Sequence, residues 1–149
     1  MKLRVSVPIE ATREEIWMVI TDIEHSNQTI HDIDKVEVIE KPEASLNGLK
    51  WRETRKLFGE DDVETYSVVA SEENHFFKTH SEKDGMTYDS TMIIESEGDH
   101  NLLKINYERH PTTFTSRIKN AVFGSLMKTS EEQHLLEELK DIKHAVEHH

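Results

Sequence analysis

Seven residues carry the side chains from which a binding or catalytic site could be built: Glu53, Arg55, Glu64, Tyr66, Tyr88, Tyr107 and Arg109. Arg55 and Arg109 offer planar donor forks that suit a carboxylate or a phenolate. The three tyrosines could orient a ligand oxygen. Glu53 and Glu64, buried together, would make an acid/base pair with one pKa raised. The plainer reading of the same residues is structural, with each arginine neutralised by Glu53 or Glu64 in a buried ionic network. Glu131-x-x-His134 has the spacing of a carboxylate-bundle metal motif, but such a site needs a second copy and two further glutamates. His144 and His148 sit four residues apart near the C-terminus and are given no role. No Gly-rich phosphate loop, serine nucleophile elbow or H-E-x-x-H pattern occurs. No catalytic residue, metal site or cofactor is assigned.

These side chains need elements to hold them. Lys2–Ile9 alternates, with Leu3, Val5, Val7 and Ile9 on one face, as a half-buried strand does. Thr12 and Glu15 form a capping-box pattern that opens a helix through Ile16, Trp17, Val19 and Ile20. Glu24–His31 is polar and reads as a short second helix or loop. From Asp34 to His110, turn signals punctuate a meander of six strands at Asn47-Gly48, Gly59-Glu60-Asp61, Glu73-Asn74, Asp84-Gly85 and Gly98-Asp99. After Pro111 the period becomes helical, with Phe114, Ile118, Val122 and Leu126 followed by Leu135, Leu139, Ile142 and Val146.

Taking the turn signals as two-residue loops predicts the register. Ser81 then faces Tyr88, Phe77 faces Met92, Met92 faces Ile105, Tyr88 faces Arg109, and Ala70 faces Phe77. All strands agree on one inner face. That face is apolar at one end, with Trp51, Val68, Ala70, Phe77, Met92, Ile94, Leu103 and Ile105. It is polar at the other, with Glu53, Arg55, Tyr66, Ser81, Tyr88, Ser90, Tyr107 and Arg109. A solid core would not take those charges unless they were paired or wet. The gradient predicts a cavity with a polar region. His80 registers outward beside Asp89.

The chain has 149 residues, 30 acidic and 18 basic, for a net charge of −12. That length suits one domain, expected over residues 1–146, with a tail at 147–149 that is either native or a purification-tag remnant. The charge argues against nucleic acid, which needs cationic patches, and against anionic membrane surfaces. No stretch reaches the ~18 apolar residues of a membrane span, so no integral membrane association is expected. Without cysteine there is no disulfide or thiol chemistry, and a cytoplasmic setting is expected.

Val7-Pro8-Ile9-Glu10-Ala11-Thr12-Arg13-Glu14-Glu15-Ile16-Trp17, Ile33-Asp34-Lys35-Val36-Glu37-Val38 and Gly48-Leu49-Lys50-Trp51-Arg52-Glu53-Thr54-Arg55 carry a resemblance. They are similar to the opening, second strand and third strand of the START, birch-pollen-allergen and polyketide-cyclase (SRPBCC) superfamily. The resemblance runs from Met1 to about Val146. Asn27–His31 departs from it, where the family often carries Trp-x-Pro. It implies an α+β helix-grip fold, a seven-stranded antiparallel sheet curled around a long C-terminal helix, with two short helices between strands 1 and 2. It also implies binding of a small hydrophobic, lipid- or polyketide-like molecule with a polar or acidic end. The alternatives are a cyclase, aromatase or dehydratase using cavity Arg, Tyr and Glu, or a protein-interaction role with an incidental cavity. The expected lining is Trp51, Glu53, Arg55, Tyr66, Val68, Phe77, Ser81, Tyr88, Ser90, Met92, Ile105, Tyr107 and Arg109 from the sheet. Phe114, Ile118 and Val122 come from the helix. The protein is expected to be a monomer or weak homodimer.

Overall fold

The computed structural model describes residues 1–57 and 59–148. Strand β1 (Lys2–Ile9) leads into helix α1 (Arg13–Ile20), a 3-10 turn (Ile23–His25) and the short α2 (Ser26–Thr29). Six strands follow: β2 (Ile33–Glu40), β3 (Lys50–Leu57), β4 (Glu60–Glu72), β5 (Phe76–Lys83), β6 (Met86–Glu97) and β7 (His100–Pro111). Helix α3 (Phe114–Glu147) completes the fold. The strands form one antiparallel sheet in the order β1-β7-β6-β5-β4-β3-β2. This is the expected α+β architecture.

Local chemistry sets the ends of these elements. The Thr12 hydroxyl accepts from the Glu15 N–H at 3.1 Å, and the Glu15 carboxylate accepts from the Thr12 N–H at 3.2 Å, so the capping box forms as predicted. A second box, Thr113 with Ser116, starts α3. The β5–β6 turn places Asp84 at φ 51° and Gly85 at φ 76°, as a two-residue loop requires. A Cβ on Gly85 would stand 2.8 Å from the Thr113 hydroxyl. Gly85 O also accepts from the N–H and hydroxyl of Thr112, at 2.7 and 2.8 Å. The segment leading into α3 is therefore pinned to this turn.

The register around β5, β6 and β7 matches the predicted pairs, including Ser81 with Tyr88, Met92 with Ile105 and Tyr88 with Arg109. Two turns differ. Leu57 pairs with Glu60, which shifts β4 along β3 by two residues and leaves Trp51, Glu53, Arg55, Glu64 and Tyr66 on their expected face. The β4–β5 loop holds three residues, Glu73–His75, with Asn74 at φ 64°. A bulge between Val68 and Ala70 absorbs the extra residue, so Val68–Thr79 and Tyr66–Ser81 pair as predicted. Between the bulge and the loop the pairing is displaced. Ala70 faces Lys78 on the outer surface and Ser71 takes its place opposite Phe77.

The core lies at the apolar end, where Trp51, Val68, Phe77, Ile94, Leu103 and Ile105 meet Ile16 and Ile20 of α1 and Leu139, Ile142 and Val146 of α3. The helix does not break at residue 146. Glu147 is its last residue and accepts from the Glu10 N–H at 2.9 Å and Lys143 Nζ at 2.8 Å. His149 lies outside the described residues. Beyond its pinned start, only the second half of α3 packs. Phe114 is 78% exposed and Leu126 76%, and Ile118 and Val122 are also exposed. The expectation that these four cover the inner face is therefore corrected. A spacing of four residues drifts about 40° per step on a helix of 3.6 residues per turn. From Phe114 to Leu126 the stripe turns about 120° away from its starting direction. Leu126 ends in line with Gln133, Glu137 and His144, which face solvent.

Leu139 is 0% exposed, so Leu139→Ala should lower the unfolding free energy by about 2–5 kcal/mol. Leu126→Ala should change it by less than about 0.5 kcal/mol. Urea denaturation of the two variants measures both, and equal losses would show that the first half of α3 is packed.

Candidate functional site

The polar end of the inner face is built from β3, β4, β5, β6 and β7, with α3 crossing it. Alternation along each strand delivers Glu53 and Arg55, Glu64 and Tyr66, Tyr88 and Ser90, and Tyr107 and Arg109 to the same side. Arg55 Nε donates to Glu53 Oε2 at 2.7 Å and Arg55 Nη2 to Glu138 Oε1 at 2.7 Å. Its Nη1 lies 3.2 Å from His134 Nε2. Burial alone would lower the Arg55 pKa, but Glu138 and Glu53 outweigh it and hold the guanidinium charged. Glu53, 6% exposed, also receives Trp51 Nε1 at 3.4 Å. Its burial pushes its pKa up while Arg55 opposes the shift.

Arg109 is 7% exposed and its Nη1 pairs with Glu131 Oε1. Its backbone is clamped to the chain start, with Arg109 N–H donating to Met1 O at 2.9 Å and the Met1 ammonium to Arg109 O at 3.0 Å. Arg109 Nε and Glu131 Oε2 are buried and have no hydrogen-bond partner among the described residues. Burial raises the Glu131 pKa, against the pull of Arg109. The expected neutralising groups were Glu53 and Glu64. Glu53 serves Arg55, while Glu64 instead accepts from the Ser81 hydroxyl at 2.8 Å. The other carboxylates come from α3. Glu131 and Glu138 are seven residues apart, two turns, and so project from one face beside Leu135 and Ile142. That spacing was the available signal. Glu131 and His134 are thus engaged by the two arginines.

The tyrosines behave as neutral donors. Tyr66 stacks on Trp51 with ring centroids 5.6 Å apart, and Tyr88 lies 6.3 Å from Tyr107. Burial is the main force raising all three phenol pKa values, so none ionises near neutral pH. Of the expected lining residues, Trp51, Glu53, Val68, Phe77, Ser81 and Ile105 are fully buried in the floor or the core. Tyr66, Tyr88, Ser90, Met92 and Tyr107 are half-buried, with Arg55 and Arg109 beside them. Phe114, Ile118 and Val122 are not brought to this group as packed lining. Because α3 is exposed at most positions from 117 to 130, the polar end is less tightly covered than the closed apolar core.

No family profile and no curated protein matches the chain. Solved structures do. A protein from Thermus thermophilus superposes with a TM-score of 0.79 at 16% identity, covering 98% of this chain and 97% of the other. The Zhui aromatase/cyclase from a Streptomyces species gives 0.73 at 10% identity, over 99% and 93% of the two chains. A START superfamily protein from Mycobacterium smegmatis gives 0.64 at 17% identity, over 95% and 98%. The chain has the helix-grip fold. Among its described residues no helix is long and apolar enough to cross a membrane.

The helix-grip frame is also tied at its open edge by charge. His31 Nδ1 lies 2.6 Å from Asp141 Oδ2, and His31 Nε2 lies 3.1 Å from Asp32 Oδ1. Both nitrogens can donate to carboxylates only in the imidazolium form. The bond to Asp141 is the main cause of a pKa raised above the ordinary 6.5. The sign follows: the imidazolium contribution to this tie between the β2 edge and α3 is fully present below about pH 6.5 and is lost as pH rises through the folded-state value, while the His31 backbone N–H keeps donating to Asp141 Oδ2 at 3.1 Å. An NMR titration should give His31 a midpoint above 6.5. In Asp141→Asn the midpoint should fall back toward that ordinary value, and an unchanged midpoint would assign the shift elsewhere.

Proposed function

We propose that this protein binds a small, mostly apolar molecule by seating its polar end against Arg109 and Glu131 in the cleft under α3. Half-buried Met92, Tyr66, Tyr88 and Tyr107 supply apolar surface with hydroxyl donors. The observation that carries the reading is the pair of unpartnered buried atoms, a donor at Arg109 Nε and an acceptor at Glu131 Oε2. Buried polar groups of this kind are normally satisfied. One group that both donates and accepts, a hydroxyl or a carboxamide, would satisfy both. A carboxylate only accepts and would meet the Glu131 charge. The acidic end expected from the two arginines is therefore replaced by a neutral one, because both guanidinium groups already hold carboxylates. A cytoplasmic setting belongs to the same reading.

The aromatase- or cyclase-type alternative draws on the fold shared with the Zhui aromatase/cyclase. It requires a group that exchanges protons near neutral pH. The tyrosines are held neutral, and Glu53 and Glu131, whose pKa values burial raises, are each engaged by an arginine, so the geometry favours binding over catalysis.

Fluorescence titration with 2-naphthol, 2-naphthamide and 2-naphthoate tests the reading. The two neutral probes should bind at least about tenfold more tightly than the acid, as expected when a charge is left unpaired. Glu131→Gln should reverse the preference by leaving the Arg109 charge uncompensated. No binding of any probe, or the same ranking in both proteins, would overturn the proposal.

A further inference from the structure

The first half of α3 presents an unusual surface. Phe114, Ile118, Val122 and Leu126, with Phe123 and Met127 beside them, form an exposed apolar surface over about three and a half turns. On a helix of 3.6 residues per turn, Lys119 lies between Leu126 and Phe123 within this surface, and Arg117 and Lys128 lie along its edge nearer the packed face, in line with Leu139 and Val146. All three cations are exposed. No Asp or Glu occurs between Glu108 and Glu131, in a chain with 30 acidic residues. Asp84, in the turn that receives Thr112, is the acidic residue next to its start. The second half of the same helix carries Glu131, Glu132, Glu137, Glu138, Asp141 and Glu147. The helix is thus polarised, with a cationic, apolar half and an anionic, packed half.

We infer that the outer face of α3 between Phe114 and Lys128 docks on an anionic lipid bilayer surface. Apolar side chains bordered by Lys and Arg are the pattern of a helix lying in the membrane interface. The apolar face enters the headgroup boundary, and the long cations reach anionic headgroups from its edges. The net charge of −12 opposes this, and from composition alone an anionic membrane is excluded. Screening removes the objection. At about 0.1 M salt the Debye length is roughly 10 Å, about the diameter of a helix with its side chains. The cations facing the bilayer act within that length, while the acidic body behind α3 is screened. Docking would set the cleft under α3 beside the membrane. The inference itself does not depend on what the cleft binds.

Vesicle flotation of the full chain, without a tag, tests this. The probes are phosphatidylcholine vesicles, alone or with about one-third phosphatidylserine, at about 0.1 and 0.5 M NaCl. The protein should float with the anionic vesicles at the lower salt and be released at the higher. Lys119→Glu with Lys128→Glu should reduce partition at least about tenfold, since each cation near the surface contributes about fivefold. Phe114→Ser with Leu126→Ser should reduce it similarly by removing apolar insertion. Neither pair should shift the thermal melt, because all four side chains are exposed. Probe binding in the cleft should also persist, which separates this inference from the proposed function. Absence of flotation, or equal flotation with neutral vesicles, would overturn it. So would a concentration-dependent dimer that the same substitutions dissociate without any vesicle binding, which would assign the stripe to a second copy of the chain.

Discussion

Two guanidinium groups on the inner face of the sheet, Arg55 and Arg109, have to be neutralised where water is scarce. An unpaired buried charge costs several kcal/mol, more than a domain of this size can leave standing. Glu53 lies next to Arg55 on its own strand, but the remaining partners, Glu131 and Glu138, are on α3. The helix is therefore held over the sheet at two points two turns apart, and its rotation about its own axis is set. Leu139, Ile142 and Val146 can enter the core because this rotation points them inward. The same rotation turns Val122 and Leu126 outward.

The inner face changes character along its length. At the end near α1 the side chains are apolar and the layers close completely. Toward the other end, rings with hydroxyl groups replace aliphatic ones, and packing becomes incomplete because each hydroxyl and charge demands a partner at a defined position. Polar pairs hold the surfaces together at points where apolar contact would have filled the space.

Helix α3 combines two environments in one continuous element. Its acidic second half belongs to the fold, tied by Arg55, Arg109 and His31. Its first half is joined to the body mainly through the pinned start at Thr112 and Gly85. Charge segregates along the helix in the same way, so an attraction that the whole chain opposes becomes available to one face.

Much of the architecture was legible in the sequence because strands and turns write short-range signals. Alternation in Lys2–Ile9, the Thr12–Glu15 box and the Asp84-Gly85 and Gly98-Asp99 turns each depend on a few neighbouring residues. Together they settled which residues share the inner face from β3 to β7. Legibility failed where two local features cancel. The three-residue loop at Glu73–His75 and the bulge at Val69 together moved Ala70 outward while leaving Tyr66 and Val68 in place. In the site, the arginines and tyrosines were readable as an inward group, but their partners were not. Glu131 and Glu138 are far from Arg109 and Arg55 in sequence, and only packing of α3 brings those charges together. The exposure of Phe114–Leu126 was likewise a tertiary outcome. Helical periodicity states which residues share a stripe, whereas the direction in which that stripe points depends on how the ion-paired half of the helix is seated on the sheet.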